Sequence, residues 1–201
     1  YDIKNIAYGG ITSDDAKVSD RQIAYWVKQQ RSMILTQMMS RKLRVPSVCT
    51  EYLNCVFLKP ADASECCEID SGVYVLKSIN PIPRTIQRNG RDSILAVESL
   101  DGAKTFSETT DTRRKWNKYN KYTSSNQRWY LKNGYLYVSC DILVDAVKVT
   151  GVFEDAEEVW KMNHCTTAED PYLSECEYGW DFPFPISLSM AEQVAAIVLQ
   201  K

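Results

Sequence analysis

Four carboxylates lie within five positions of the stretch GVFEDAEEVW at 151–160. They are Glu154, Asp155, Glu157 and Glu158, and they follow an apolar run that is typical of a β-strand. Two carboxylates can divide acid and base roles only where a pocket separates their pKa values, and nothing in the neighbouring sequence indicates a pocket. Acidic residues suit the first turn of a helix, because the helix N-terminus favours negative charge. The stretch therefore predicts a strand end followed by a charged turn or helix start.

The single histidine, His164, lies next to Cys165, and Cys176 follows. A Cys/His enzyme needs the nucleophile and base close together, usually with a third group that orients the base, and no third group is indicated. The spacing contains no C-x-x-C pair of the kind that zinc sites use. The sequence therefore predicts no catalytic residue, no metal ligand and no cofactor. A small thiol- or metal-dependent hydrolase that uses these three residues is kept as the alternative from the enzyme class.

A basic stretch carries Arg113, Arg114 and Lys115, followed by Trp116 and Tyr119. Cations with interleaved aromatic rings can bind single-stranded nucleic acid. Aromatic residues three positions apart are also how one face of a short helix becomes buried. A packed, solvated helix, a protein–protein contact and a nucleic-acid contact all remain open for this stretch.

The composition limits the class of protein. The chain has 201 residues, of which 44% are hydrophobic and 25% are charged, with a formal net charge of −2. Those values predict a globular core and argue against a dedicated nucleic-acid binder, which usually has a basic surplus. No apolar run approaches the ~20 residues that span a bilayer, so no membrane partner is expected. The seven cysteines are expected to be reduced thiols in a cytosolic setting, since their number is odd.

The elements around these residues predict one α+β domain over 19–201 after an extended arm at 1–18. Within that domain we expect a long N-terminal helical region, a β-rich middle, an aromatic loop and a C-terminal helix; their ranges are 19–45, 50–153, 164–186 and 187–201. The helices are expected to flank a mostly antiparallel β-sandwich or barrel-like middle.

Local signals support these elements. Ser19 or Asp20 can cap the first helix, and Ser187 or Ser189 the last. Asn133-Gly134 between two apolar runs predicts a type I′ hairpin. The prolines of NPIPR predict an edge or crossing segment, since proline cannot donate to a central ladder. In the first helix, the apolar row is expected to be Ile23, Trp26, Val27, Ile34 and Met38, with Gln30 as its one polar member.

The order of parts resembles a known family. The stretches that carry the resemblance are SDRQIAYWVKQQRSMILTQMMSRK, GVYVLKSINPIPRTI, GRDSILAVESLDGAKTF, WYLKNGYLYVS, VKVTGVFEDAEEV and DFPFPISLSMAEQVAAIVLQK. Together they are similar, over roughly residues 19–201, to a head–tail connector or ring (adaptor) virion structural protein of crAss-like short-tailed phages. No single motif among them is diagnostic.

The resemblance implies a non-enzymatic part of the phage neck. Copies would form a homo-oligomeric ring, twelve-fold if it matches the portal protein, and would also contact adjacent neck or tail proteins. The long helices would dock on the portal, the β-rich part would face a neighbouring subunit or ring, and DNA would pass non-specifically through the lumen. The protein would be found in the virion neck or tail, and in the host cytoplasm during assembly. The alternative within the same class is another tail or head-completion structural protein.

The two charged stretches suggest how such a ring could be held. A ring repeats one surface against a different one, and surfaces of opposite sign set the register and steer assembly. We expect Arg113, Arg114 and Lys115 of one copy to face the four carboxylates at 154–158 of the next.

Overall fold

The computed structural model describes residues 19–61, 74–88, 90–110, 112–113, 116, 119, 127–140, 144–164 and 183–199. Contacts divide the chain into two compact units. The first unit takes its described residues from Tyr1–Thr50, Ile86–Ser93 and Pro183–Lys201, and the second takes them from Glu51–Thr85 and Ile94–Phe182. The single domain over 19–201 stays a prediction, and the predicted arm at 1–18 lies outside the described residues.

The described part of the first unit contains two helices, a short 3-10 turn and a small two-stranded sheet. Its elements are α1 (Asp20–Ser40), the 3-10 turn (Ser47–Cys49), β3 (Gln87–Arg88), β4 (Arg91–Asp92) and α3 (Leu188–Leu199). Helix α1 starts as the sequence predicts, because the Ser19 hydroxyl accepts the Gln22 N–H at 3.3 Å and so satisfies one of the unpaired donors of the first turn.

Helix α1 ends earlier than the predicted boundary at residue 45. The Leu43 N–H donates to the Met38 carbonyl at 2.9 Å, and the Lys42 N–H donates to the Met39 carbonyl at 3.1 Å. Lys42 has a φ of 58°, so these two bonds form a Schellman cap with lysine at the position that glycine usually takes. The left-handed residue turns the chain out of the helix directly after Ser40.

The buried side of α1 differs from the predicted row. The buried side chains include Arg31, Leu35 and Met39, which are spaced four apart, and also Gln30. The predicted apolar row lies beside them and is only half-buried. Helix α1 packs against α3, whose own buried side chains are Met190, Val194 and Val198.

The second unit is built on a barrel. Among the described residues, its strands are β1 (Glu51–Pro60), β2 (Tyr74–Ser78), β5 (Ile94–Ser99), β6 (Thr105–Glu108), β7 (Arg128–Lys132), β8 (Tyr135–Cys140) and β9 (Ala146–Gly151). They close in the order β1-β2-β8-β7-β6-β5-β9. Every neighbouring pair is antiparallel except β6 and β7, which are parallel. Helices combined with a mostly antiparallel barrel confirm the predicted α+β class.

The barrel core follows the alternation of inward side chains. Inward residues alternate with outward ones along each strand, and β-branched and aromatic residues occupy the inner positions. The buried core cluster includes Val97, Phe106, Trp129, Leu136, Val138, Val147 and Val149. The predicted hairpin is confirmed, since β7 and β8 are joined by Asn133 and Gly134 with φ of 52° and 78°, as a type I′ turn requires.

The proline-containing stretch joins no strand, which agrees with the prediction that it is not part of a central ladder. Residues 81–84 belong to no strand, and Ile82 within them is buried in the barrel core. Its N–H donates to the Gly134 carbonyl at 2.8 Å. The buried Ser78 hydroxyl donates to the Asn80 carbonyl at 2.7 Å and accepts the Leu136 N–H at 3.1 Å. These bonds satisfy the backbone where the chain leaves β2.

Helix α2 (Ala156–His164) packs on β1. Its Val159 belongs to the barrel core. Near its end, Asn163 bonds a stretch of β1 where the pairing with β9 is irregular: its Nδ2 donates to the Tyr52 carbonyl at 2.7 Å, and its Oδ1 accepts the Asn54 N–H at 2.9 Å. The side-chain amide thus acts like one peptide group of an added strand.

Candidate interaction surfaces

The four predicted carboxylates lie where β9 leads into α2. Asp155 caps that helix, because its Oδ1 accepts the Glu157 N–H at 2.9 Å. Glu157 in turn accepts Lys161 Nζ at 2.7 Å one turn further along. Glu154 and Glu158 are exposed. The prediction of a strand end followed by a helix start is confirmed, and the Asp155 and Glu157 side chains have bonds within their own subunit.

The basic stretch is described only in part, since Arg114 and Lys115 lie outside the described residues. Arg113 is exposed. Trp116 and Tyr119 are 72% and 73% exposed, with ring centroids 6.4 Å apart. The packed-helix interpretation is therefore wrong for these two rings, which point to solvent instead of a core. Exposed aromatic side chains beside a cation are typical of protein contact surfaces, in which Trp, Tyr and Arg are enriched.

The described thiols show little sign of thiol chemistry. Cys49, Cys55 and Cys140 are thiols, and two of them are buried. Burial raises the pKa of Cys55, so the thiolate, which is the nucleophile, is disfavoured there. The Cys49 thiol contacts Met190 Sδ at 3.8 Å. Each of these three side chains therefore fits a packing role.

Two of the three residues of the hydrolase alternative lie outside the described residues. His164 is the last residue of α2, while Cys165 and Cys176 lie outside the described residues. Within the ranges that the structure describes, no three His, Cys, Asp or Glu side chains are grouped as a metal site would need. None of the described helices is long and apolar enough to cross a lipid bilayer.

Sequence reasoning missed a buried cation in α1 that bonds the residues just before α3. Arg31 is fully buried in α1. Its Nε donates to the Pro185 carbonyl at 2.9 Å, and its guanidinium lies 5.5 Å from the ring centroid of Phe184. A charge is buried at low cost only when it is bonded and packed, so this arginine fixes the residues that lead into α3. The one signal of this burial in the sequence was that Arg31, a polar residue, lies beside the predicted apolar row of the helix.

Sequence reasoning also missed the outward faces of α1 and α3. On α1, the exposed residues beyond Arg21 are Gln22, Tyr25, Gln29, Met33, Thr36, Gln37 and Ser40. On α3, the exposed residues are Leu188, Ser189, Glu192, Gln193, Ala196, Ile197 and Leu199. One charge among these fourteen positions is far below the content of an ordinary soluble surface, about 25–35%. A count of charged residues at helical spacing would have revealed both faces.

The comparisons with known proteins place the chain in a family. No curated protein matches it. Residues 1–201, the whole chain, match the family described as phage tail ring protein 2. This match confirms the resemblance to a ring protein of crAss-like phages, and it makes the chain a structural component of the phage virion. The chain belongs to the phage tail ring protein 2 family.

Proposed function

We propose that this ring protein forms a homo-oligomeric ring in the phage neck, where it joins the portal to the tail and lets DNA pass. The observation that supports the proposal most is the match to a tail ring family along the entire chain. Copies assemble in the host cytoplasm, and adjacent neck or tail proteins occupy the other side of the ring. A ring seated on the portal takes the portal's rotational symmetry, which we propose to be twelve-fold.

The passage of DNA needs no base-specific contact in this proposal. The chain has a formal net charge of −2, whereas affinity for nucleic acid comes largely from cations that neutralise phosphates. A subunit without a basic surplus gives a lumen that DNA can slide through. The role of the protein is then structural rather than catalytic.

The two charged stretches supply one contact between neighbouring copies. We propose that Arg113, together with Arg114 and Lys115, faces the acidic residues at 154–158 of the next copy. Glu154 and Glu158 are the exposed members of the four acids, so they are the ones that can reach a neighbouring copy and carry most of this contact. Charges at the edge of an interface mainly guide encounter and register.

The exposed rings of Trp116 and Tyr119 give the proposal a test. Aromatic residues that become buried on association often dominate the binding energy. A few such positions contribute about 2 kcal/mol or more each. We expect Trp116→Ala combined with Tyr119→Ala to reduce ring assembly on the portal by at least tenfold. The matched control is Leu100→Ala, since Leu100 is 56% exposed and lies outside both charged stretches.

The experiment mixes the purified chain with portal protein and images the complexes by negative-stain electron microscopy. A ring stacked on the portal supports the proposal, and its copy number per portal gives the symmetry. A chain that forms rings but leaves the portal bare would assign it instead to another tail or head-completion role. A chain recruited equally well with and without the two aromatic rings would remove them from the contact.

A further inference from the structure

Helix α3 is too apolar to remain half-exposed in its final state. Nine of its twelve residues are apolar, while Ser189, Glu192 and Gln193 are exposed polar residues; apolar side chains that are exposed together mark interaction sites. Its inner side is buried through Met190, Val194 and Val198. On its outer side, however, Leu188 is 80% exposed, Leu199 39% and Ile197 37%. Within the described part of one copy, this outer side therefore stays uncovered.

Helix α1 offers a surface of matching character. Its exposed residues from Gln22 to Ser40 lie within one third of the helix circumference and carry no charge. Tyr25 is 62% exposed and Met33 is 47% exposed, and both residue types are enriched in interface cores, from which charged residues are depleted. This face is about 27 Å long at 1.5 Å per residue, long enough to take the shorter α3.

Two polar groups on the α1 face, the hydroxyls of Thr36 and Ser40, cost little to bury. The Thr36 hydroxyl donates to the Ser32 carbonyl at 2.8 Å, and the Ser40 hydroxyl donates to the Thr36 carbonyl at 2.8 Å. A hydroxyl that donates to its own helix has no unbonded donor, so its burial carries little desolvation cost. Two neighbouring small side chains also allow a second helix to approach closely.

We propose that the outward face of α3 in one copy packs against the outward face of α1 in the next copy around the ring. This inference rests on the proposed ring. A ring needs two different surfaces on each copy that fit each other, and these two faces are elongated and carry little charge. The single charge on the α3 face is acidic, Glu192, and exposed cations stand at both ends of the α1 face, Arg21 and Arg41. In this proposal the helices pack between copies, whereas the resemblance implies that they dock on the portal.

The test blocks one face at a time with a charge. Met33→Lys blocks α1, and Ile197→Glu blocks α3; Ala196→Glu is the second α3 variant, which covers any loss of folding at Ile197. Each variant is expected to weaken self-association by at least tenfold, because an unpaired charge would have to be buried. Leu95→Lys and Leu95→Glu are the matched controls, since Leu95 is 61% exposed on β5. Circular dichroism checks that each variant is folded.

A mixture of the two blocked variants identifies which faces meet. The Met33→Lys copy keeps its α3 face, and the Ile197→Glu copy keeps its α1 face, so an equimolar mixture should recover the association that each variant alone has lost. Sedimentation velocity and native mass spectrometry, with and without portal, measure the species. Single variants that assemble like the wild type overturn the inference, as do Met33→Lys copies that dimerise with each other. Rings that depend on these faces but do not bind portal would instead contradict the proposed neck role alone.

Discussion

Arg31 shows how a single residue can matter without any motif. It belongs to the buried side of α1, and its Nε bonds the Pro185 carbonyl at 2.9 Å. Its aliphatic part packs where a leucine would otherwise be expected, and its planar head lies against Phe184. From sequence alone, an arginine within a helix is assigned to solvent. Only the position of residues 183–187, more than 150 places along the chain, makes burial possible.

The first prediction concerns this buried arginine. Arg31→Ala is expected to lower the free energy of unfolding by about 3–5 kcal/mol, because it removes packing and leaves the partners of a buried charge unpaired. Arg31→Lys keeps the charge but loses the Nε donor and the planar head, so about 1–3 kcal/mol should be lost when the Pro185 carbonyl is left without that bond. Urea unfolding monitored by circular dichroism measures both.

The control for Arg31 is on the same helix. Arg21→Ala removes an exposed arginine and should change the free energy of unfolding by less than about 0.5 kcal/mol. Equal effects of Arg31→Ala and Arg21→Ala would show that the buried bond to Pro185 contributes nothing.

At the scale of elements, strands with strong local signals could be predicted from the sequence. The Asn133-Gly134 turn between two apolar runs predicts β7 and β8, and the apolar run before the four carboxylates predicts β9. Strand β6, Thr105–Glu108, has no such signal, because it is short and buries only Phe106, which leaves no visible alternation. Its parallel pairing with β7 is a long-range contact that no local pattern encodes.

Candidate surfaces were harder to predict than strands, for a physical reason. Glu154, Asp155, Glu157 and Glu158 were found because a charge cluster is visible in one dimension. Which of them caps the helix and which stays exposed could not be predicted, because this depends on the exact start of α2 at Ala156. The outer faces of α1 and α3 are defined by what remains exposed after folding, so they emerge only when the buried sides are known.

The second prediction concerns the bond between α2 and β1. Asn163→Ala should lower the free energy of unfolding by about 1–3 kcal/mol, because the Tyr52 carbonyl and the Asn54 N–H both lose a partner. Asn163→Asp should be at least as destabilising at neutral pH, since an ionised carboxylate has no donor for Tyr52. Its deficit relative to wild type should shrink as the pH falls toward about 4, where the carboxyl protonates and can donate. Thermal unfolding at several pH values measures this.

Asn54→Ala is the matched control for Asn163. The Asn54 side chain is exposed, and only its backbone N–H takes part in the bond, so about 0.5 kcal/mol or less should be lost. A pH-independent deficit in Asn163→Asp would mean that the donor to Tyr52 is not what the amide contributes.

At the scale of the whole molecule, the proposed ring would use a different kind of contact from each unit. The outer face of α1 is uncharged and that of α3 carries one charge, Glu192, so the two faces suit a packed contact. The contact proposed for the barrel unit is charged, with exposed Arg113 on one stretch and exposed Glu154 and Glu158 on another. Apolar burial supplies affinity, while charges at an exposed rim supply encounter rate and register. A ring that must close at one copy number benefits from both.

The last prediction separates these two contributions. Glu158→Lys and Arg113→Glu should each slow ring assembly several-fold without abolishing it, because exposed ion pairs are worth only about 0–1 kcal/mol. The double variant exchanges the two signs and should recover most of the wild-type rate. Assembly of the wild type should also slow as salt is raised, since exposed charges are screened beyond about 8 Å at physiological ionic strength. Light scattering during assembly at low and high salt measures all of these.

Glu108→Lys controls for the change in net charge, because Glu108 is exposed on β6 and lies outside the acidic stretch. It should assemble at nearly the wild-type rate. A double variant that is as slow as its two single changes combined would show that Arg113 and Glu158 do not face each other across the contact. Since Met33→Lys acts on packing instead, its defect should persist at every salt concentration, and a salt-dependent rescue of that variant would mean that the helical faces, too, are held by charge.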